Sequence, residues 1–119
     1  MLCWWCLMTS ASKIKGSSFE REIVNYLREQ GWDGAERTRA GWVDDRGDID
    51  GVIGVTFECK SRKAMALAEW VDELVVEMQH ANNAVGAVVH KRRGITDAGN
   101  YYASMPLSVF AKLLKEAGY

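Results

Sequence analysis

The run Val55-Thr56-Phe57-Glu58-Cys59-Lys60 constrains this chain more than any other, because it reads as a β-strand and yet carries charge inside it. By the two-residue period of a strand, Val55, Phe57 and Cys59 take one face and Thr56, Glu58 and Lys60 the other. Glu58 and Lys60 therefore share a face, roughly 6.5–7 Å apart along the backbone. Just upstream, Gly47-Asp48-Ile49-Asp50 predicts a neighbouring strand that brings Asp48 or Asp50 alongside. Two carboxylates converging at a sheet edge repel each other unless a hard cation binds between them, and an oxygen-only site of this kind suits Mg²⁺ or Mn²⁺. The same residues allow a plainer arrangement, with Glu58 and Lys60 as an exposed ion pair and the aspartates in turns; spacing alone leaves both open.

Helical and strand periods alternate around this strand. Ser17 with Glu20 three residues on is a capping-box pattern, and Phe19, Ile23, Tyr26 and Leu27 recur at helical spacing, predicting a helix over 18–30. Turn residues then punctuate short β-type runs near 35–39, 48–53 and 55–60. Over 65–82 the apolar positions Ala66, Leu67, Trp70, Val71, Leu74, Val75 and Met78 form one stripe, with Glu69, Asp72, Glu73 and Glu77 placed elsewhere on the wheel, as on a surface helix. A buried strand is expected over 84–89, a short one around Tyr101 and Tyr102, and a last helix from Pro106 to Gly118. The predicted order is α-β-β-β-α-β-β-α, an α/β (α+β) sheet covered by helices.

With 119 residues the chain holds one core, and its single Pro excludes low-complexity sequence. The three cysteines, an odd number, do not make a disulfide framework, so a reducing, cytoplasmic setting is expected. Cys3-x-x-Cys6 has no second ligand pair to complete a zinc site. The apolar opening MLCWWCLM lacks a basic leader region and is too short to span a bilayer, so no membrane role is expected. Residues 1–12 are expected to be an extension, either bland or a sticky, redox-sensitive arm for self-association, and 13–119 a single domain.

Taken in order, Lys15-Gly16, Phe19-Glu20-Arg21-Glu22, Arg37-Thr38-Arg39, Gly47-Asp48-Ile49 and Phe57-Glu58-Cys59-Lys60-Ser61-Arg62-Lys63 resemble the PD-(D/E)XK nuclease superfamily. Within it the pattern is most similar to the archaeal and phage type of Holliday junction resolvase, from about residue 13 to 93. The resemblance implies a restriction-endonuclease-like fold, with a mixed central β-sheet flanked by helices. It implies Asp48 and Glu58 as ligands of Mg²⁺, with Mn²⁺ as a substitute, Lys60 as the catalytic lysine, and Glu20 as a further acid at the metal. Gly47 stands where the family has Pro, and Asp50 remains an alternative ligand to Asp48. Glu22 points elsewhere and reads as a surface residue.

The implied activity is hydrolysis of phosphodiester bonds in branched DNA, above all four-way junctions; nucleases of flaps, mismatches or linear duplex, and a non-catalytic DNA-binding relative, are the rivals. Lys13, Lys15, Arg21, Arg37, Arg39, Arg62, Lys63, Lys91, Arg92 and Arg93 fall near the expected site, where they would track phosphates. Cutting two strands symmetrically needs two active sites, so a homodimer is expected. The net charge of −1 excludes a uniformly basic DNA binder. It hides a segregation, because residues 64–90 carry four acids and no Lys or Arg while the rest holds 15 bases and 12 acids.

Overall fold

The structure, a computed structural model, describes residues 4–39 and 46–119, with side chains from residue 16 onward. The side chains of Cys3, Cys6, Lys13 and Lys15 lie outside those described. The elements are α1 (Trp4–Glu29), β1 (Glu36–Arg37), β2 (Ile49–Asp50), β3 (Val55–Lys60), α2 (Leu67–Ala81), β4 (Val85–His90), a 3₁₀ turn (Ala98–Asn100), β5 (Tyr102–Ser104) and α3 (Leu107–Glu116). This is the order read from the sequence. β3 pairs in parallel with β4, which pairs antiparallel with β5, while β1 and β2 form a separate antiparallel ribbon. The mixed α+β arrangement is compatible with the nuclease-like fold.

Asp48 joins the two sheets. Its N–H donates to the Phe57 carbonyl at 2.7 Å and its own carbonyl accepts from Thr38 N–H at 3.0 Å. The ribbon is thereby fixed to the edge of β3 that faces away from β4.

Each face of the three-stranded sheet has its own core. On the α1 side Phe19, Ile23, Val24 and Leu27 pack with Ile49, Val89 and Tyr101, and Val55, Phe57 and Cys59 of β3 lie against them. On the other side Trp70, Leu74 and Met78 of α2 pack with Val88 and with Val109 of α3. Both faces of β3 are covered, so its polar face is the buried one: Thr56 is 1% exposed and Glu58 6%. That removes the exposed ion pair that spacing alone had left open.

The first helix begins at Trp4, not at residue 18. Ser17 is not its cap; the Ser17 hydroxyl instead accepts from Arg37 Nη2 at 2.8 Å. The only proline of the chain is Pro106, so nothing in 4–29 removes a helical hydrogen bond, and the helix runs through the boundary expected near residue 12.

Gly47 adopts φ +103°, and a Cβ there would meet the Phe57 carbonyl oxygen at 2.7 Å. A proline, fixed near φ −65°, cannot take this conformation. Gly47→Ala is expected to cost about 1–3 kcal/mol, a fall in Tm of roughly 3–10 °C by thermal melting. An unchanged Tm would mean that the Asp48 approach to β3 is not fixed as described.

Candidate active site and nucleic-acid groove

The backbone bonds that join Asp48 to β3 also determine where its carboxyl lies. Asp48 Oδ2 accepts from Cys59 N–H at 2.7 Å, so the side chain takes a ladder position that a strand carbonyl would otherwise fill. This sets it beside Glu58. Burial, then the neighbouring Glu58 charge, push the Asp48 carboxyl up to about 8 against the pull of the Cys59 N–H, and Glu20 adds to the rise. Glu58 is likewise pushed up to about 8, by burial first and then by Glu77, with Lys60 opposing. Among the described residues Glu58 Oε2 is buried without a donor, and the carboxyl groups near Glu58 are those of Glu77 and Asp48. Asp50, by contrast, accepts from the Thr38 hydroxyl at 3.2 Å. The geometry therefore sets Asp48, rather than Asp50, beside Glu58.

Lys60 lies on the same face, with Nζ 3.4 Å from Glu58 Oε1 and 2.8 Å from Glu73 Oε2. Burial alone would lower its pKa, but the contacts with Glu73 and Glu58 outweigh it and hold the ammonium charged. Burial, reinforced by the surrounding acids, pushes the free Cys59 thiol up and keeps it protonated.

Glu73 and Glu77 were not expected at the site. By residue type all four acids of α2 read as lying away from its buried stripe, yet Glu77 is 5% exposed. The buried positions are Trp70, Leu74, Glu77 and Met78, spaced i, i+4, i+7, i+8, so Glu77 lies on the stripe itself. Its helical position was the available signal; its charge masked it. Gln79 is exposed, as a surface glutamine should be.

Glu20 sits at the rim of the α1 face formed with Ile23, Val24 and Leu27, as helix geometry requires. Its carboxylate accepts from Arg37 Nε at 2.8 Å, which ties α1 to β1 at the edge of the acid pair. Glu22 is more than a surface residue: it accepts from the Tyr101 hydroxyl at 3.1 Å and lies 3.8 Å from Lys91 Nζ, bracing α1 against the segments around β4 and β5.

The parallel register of β3 and β4 pairs Lys60 with His90, so the basic runs that follow the two strands emerge side by side. Lys91 N–H donates to the Lys60 carbonyl at 3.0 Å. Lys60, Arg62, Lys63, Lys91, Arg92 and Arg93 thus line one groove of about 700 Å³ at the carboxyl ends of the strands. Arg37 is committed to Glu20 and Ser17, while Arg21 and Arg39 are exposed outside the groove. Glu69, Asp72, Glu73 and Glu77 line a separate hollow along α2. The charge segregation read from the sequence is therefore spatial, except that Glu73 and Glu77 also turn toward Lys60 and Glu58.

Among the described residues no group of three or more His, Cys, Asp or Glu side chains is gathered as a complete metal-ligand set. Two adjacent carboxyls with a donorless buried oxygen nonetheless fit a hard cation such as Mg²⁺, which commonly takes one or two carboxylates and completes its shell with water and substrate phosphate.

Between the usual carboxyl values of 3.8 and 4.5 and the folded values of about 8, the folded chain binds more protons than the unfolded one. Stability from this source is present at low pH and is lost as pH rises through that window. In chelator, Glu58→Gln should melt above the parent by a margin that grows from about pH 5 to about pH 8.5, reaching roughly 3–8 °C. A margin that is constant or shrinks with pH would contradict the buried pair.

A family model for archaeal Holliday junction resolvases matches residues 11–89. That span contains Glu20, Asp48, Glu58, Lys60 and Glu77. No curated protein and no solved structure matches the chain. With an acid pair and a lysine at the end of β3, a basic groove beside them, and a family match over most of its length, the chain belongs to the archaeal Holliday junction resolvase family of nucleases acting on branched DNA.

Proposed function

We propose that the chain is a Mg²⁺-dependent endonuclease that resolves four-way DNA junctions through Asp48, Glu58 and Lys60. The observation that carries this reading is the buried Asp48–Glu58 pair, with Lys60 3.4 Å from Glu58 and at the head of the basic groove. Asp48 and Glu58 would hold the ion, with Mn²⁺ as a substitute, and Glu20 would serve as a further acid on parting from Arg37. When bound, the ion polarises a phosphoryl oxygen and lowers the pKa of a coordinated water.

The chain's own residues do the rest. Glu58 and Asp48 would each release a proton to solvent as a cation comes to lie between them. Lys60, held as an ammonium by Glu73, orients the attacking water or stabilises charge on the oxygens of the pentacoordinate phosphorane; as an ammonium it has no lone pair with which to act as a base. Arg62, Lys63, Lys91, Arg92 and Arg93 track the flanking phosphates, and Lys15, Arg21 and Arg39 extend that footprint. The free thiol Cys59 suits a reducing, intracellular setting. Among the described residues no helix is long and apolar enough to cross a membrane.

Asp48→Ala and Glu58→Ala should each lower Mg²⁺-dependent cleavage of a synthetic four-way junction by roughly 10²-fold or more while junction binding survives. Asp50→Ala should cleave nearly as the parent. Retained cleavage in Glu58→Ala would remove the basis of the mechanism, and equal cleavage of linear duplex would sink the junction reading in favour of a less selective nuclease.

Paired incision of a junction calls for two copies. Leu107, Phe110 and Leu114 recur at i, i+3, i+7 on α3 and are 80%, 48% and 37% exposed, an apolar stripe suited to a two-fold contact. The double variant Leu107→Asp/Phe110→Asp should give a monomer by light scattering and nick single strands without paired incision. A parent that is monomeric yet cuts both strands in concert would rule out the dimer.

A further inference from the structure

The groove is more than a track for phosphates. Among the described residues six cations line it and no carboxylate does, but its lining also includes three rings, those of Trp70, His90 and Tyr102. Trp70 and His90 have ring centroids 5.9 Å apart, as do His90 and Tyr102. His90 is held by a 2.8 Å contact between Nε2 and the Ser104 hydroxyl. Tyr102, on the edge strand β5, is 55% exposed, so burial does not account for it. The Arg92 guanidinium lies 4.4 Å from the centre of the Tyr102 ring and is anchored by donating to the Asn100 carbonyl at 3.0 Å.

Binding to the outside of a duplex needs cations alone. A half-exposed aromatic ring carrying a fixed guanidinium, in a cationic groove, instead matches the stacking platforms that hold unpaired bases, with cations following the backbone. Lys60 lines the same groove, so an unpaired nucleotide lying there would adjoin the cleaved phosphate. Tyr102, Arg92 and Ser104 lie beyond the matched residues 11–89.

Building on the nuclease reading, we propose that this groove receives an unpaired nucleotide of the branched DNA, its base stacked on the platform formed by Tyr102 and Arg92. The platform favours branch points over continuous duplex, because stacking is interrupted where strands exchange and a base there leaves its partner at lower cost.

The probes are a short single strand containing 2-aminopurine, the same sequence fully paired, and a four-way junction, each bound to the full chain in chelator. Tyr102→Ala should weaken single-strand and junction binding by about 5- to 100-fold and duplex binding by about twofold or less. Tyr102→Trp should restore it, and Arg92→Lys, which keeps the charge but loses the plane, should weaken single-strand and junction binding and spare the duplex. The parent should quench 2-aminopurine and Tyr102→Ala should not. Equal losses on single strand and duplex, or no loss on either, would overturn the platform. Junction cleavage by the parent with Mg²⁺ is scored on the same preparations. Cleavage with Tyr102-independent binding sinks the platform alone, whereas Tyr102-dependent binding without any cleavage upholds it and sinks the nuclease reading.

Discussion

The structure turns on Asp48, whose backbone bonds to Phe57 and Thr38 and whose side-chain bond to Cys59 N–H leave its carboxyl no position except beside Glu58. A fold assembled for stability alone would not bury two acids there, since each raises the cost of ionising the other. The surrounding features are arranged around that cost. Cys59 N–H donates to one acid, Lys60 approaches the other, and Gly47 supplies the backbone conformation that lets the chain come so close to β3. The proposed function supplies a reason for that cost, a site whose charge is completed by a cation and a polyanion.

The same sheet supplies the second half of the site. Because β3 and β4 run parallel in register, their carboxyl ends deliver Lys60 and two basic runs to one place. In open α/β sheets that end is where ligands bind, because the strands stop and the loops diverge. Acid and base are thus separated by topology: carboxyls within the sheet and along α2, cations beyond the strand ends. A net charge of −1 and a polyanion-binding groove are compatible on these terms.

The strand positions were legible because a two-residue period survives in Val55–Lys60, and the acidic strand was legible because Asp48 stands beside turn residues. What escaped was whatever depends on tertiary partners. Glu77 reads as a solvent residue by type and as a core residue by position, and its charge masks the position. Ser17 reads as a cap, but Arg37 claims its hydroxyl while the helix continues past it. Glu22 reads as surface until Tyr101, 79 residues away, is seen to reach it. The choice between Asp48 and Asp50 likewise rested on Thr38 and Cys59, partners that no local pattern reveals.

The most direct test is calorimetric titration of the chain with Mn²⁺ near pH 7, in two buffers of different ionisation enthalpy. If Asp48 and Glu58 hold protons until a cation replaces them, binding releases about one to two protons per ion, and both binding and release are lost in Glu58→Gln. Ion binding without proton release, or binding that survives Glu58→Gln unchanged, would contradict the account.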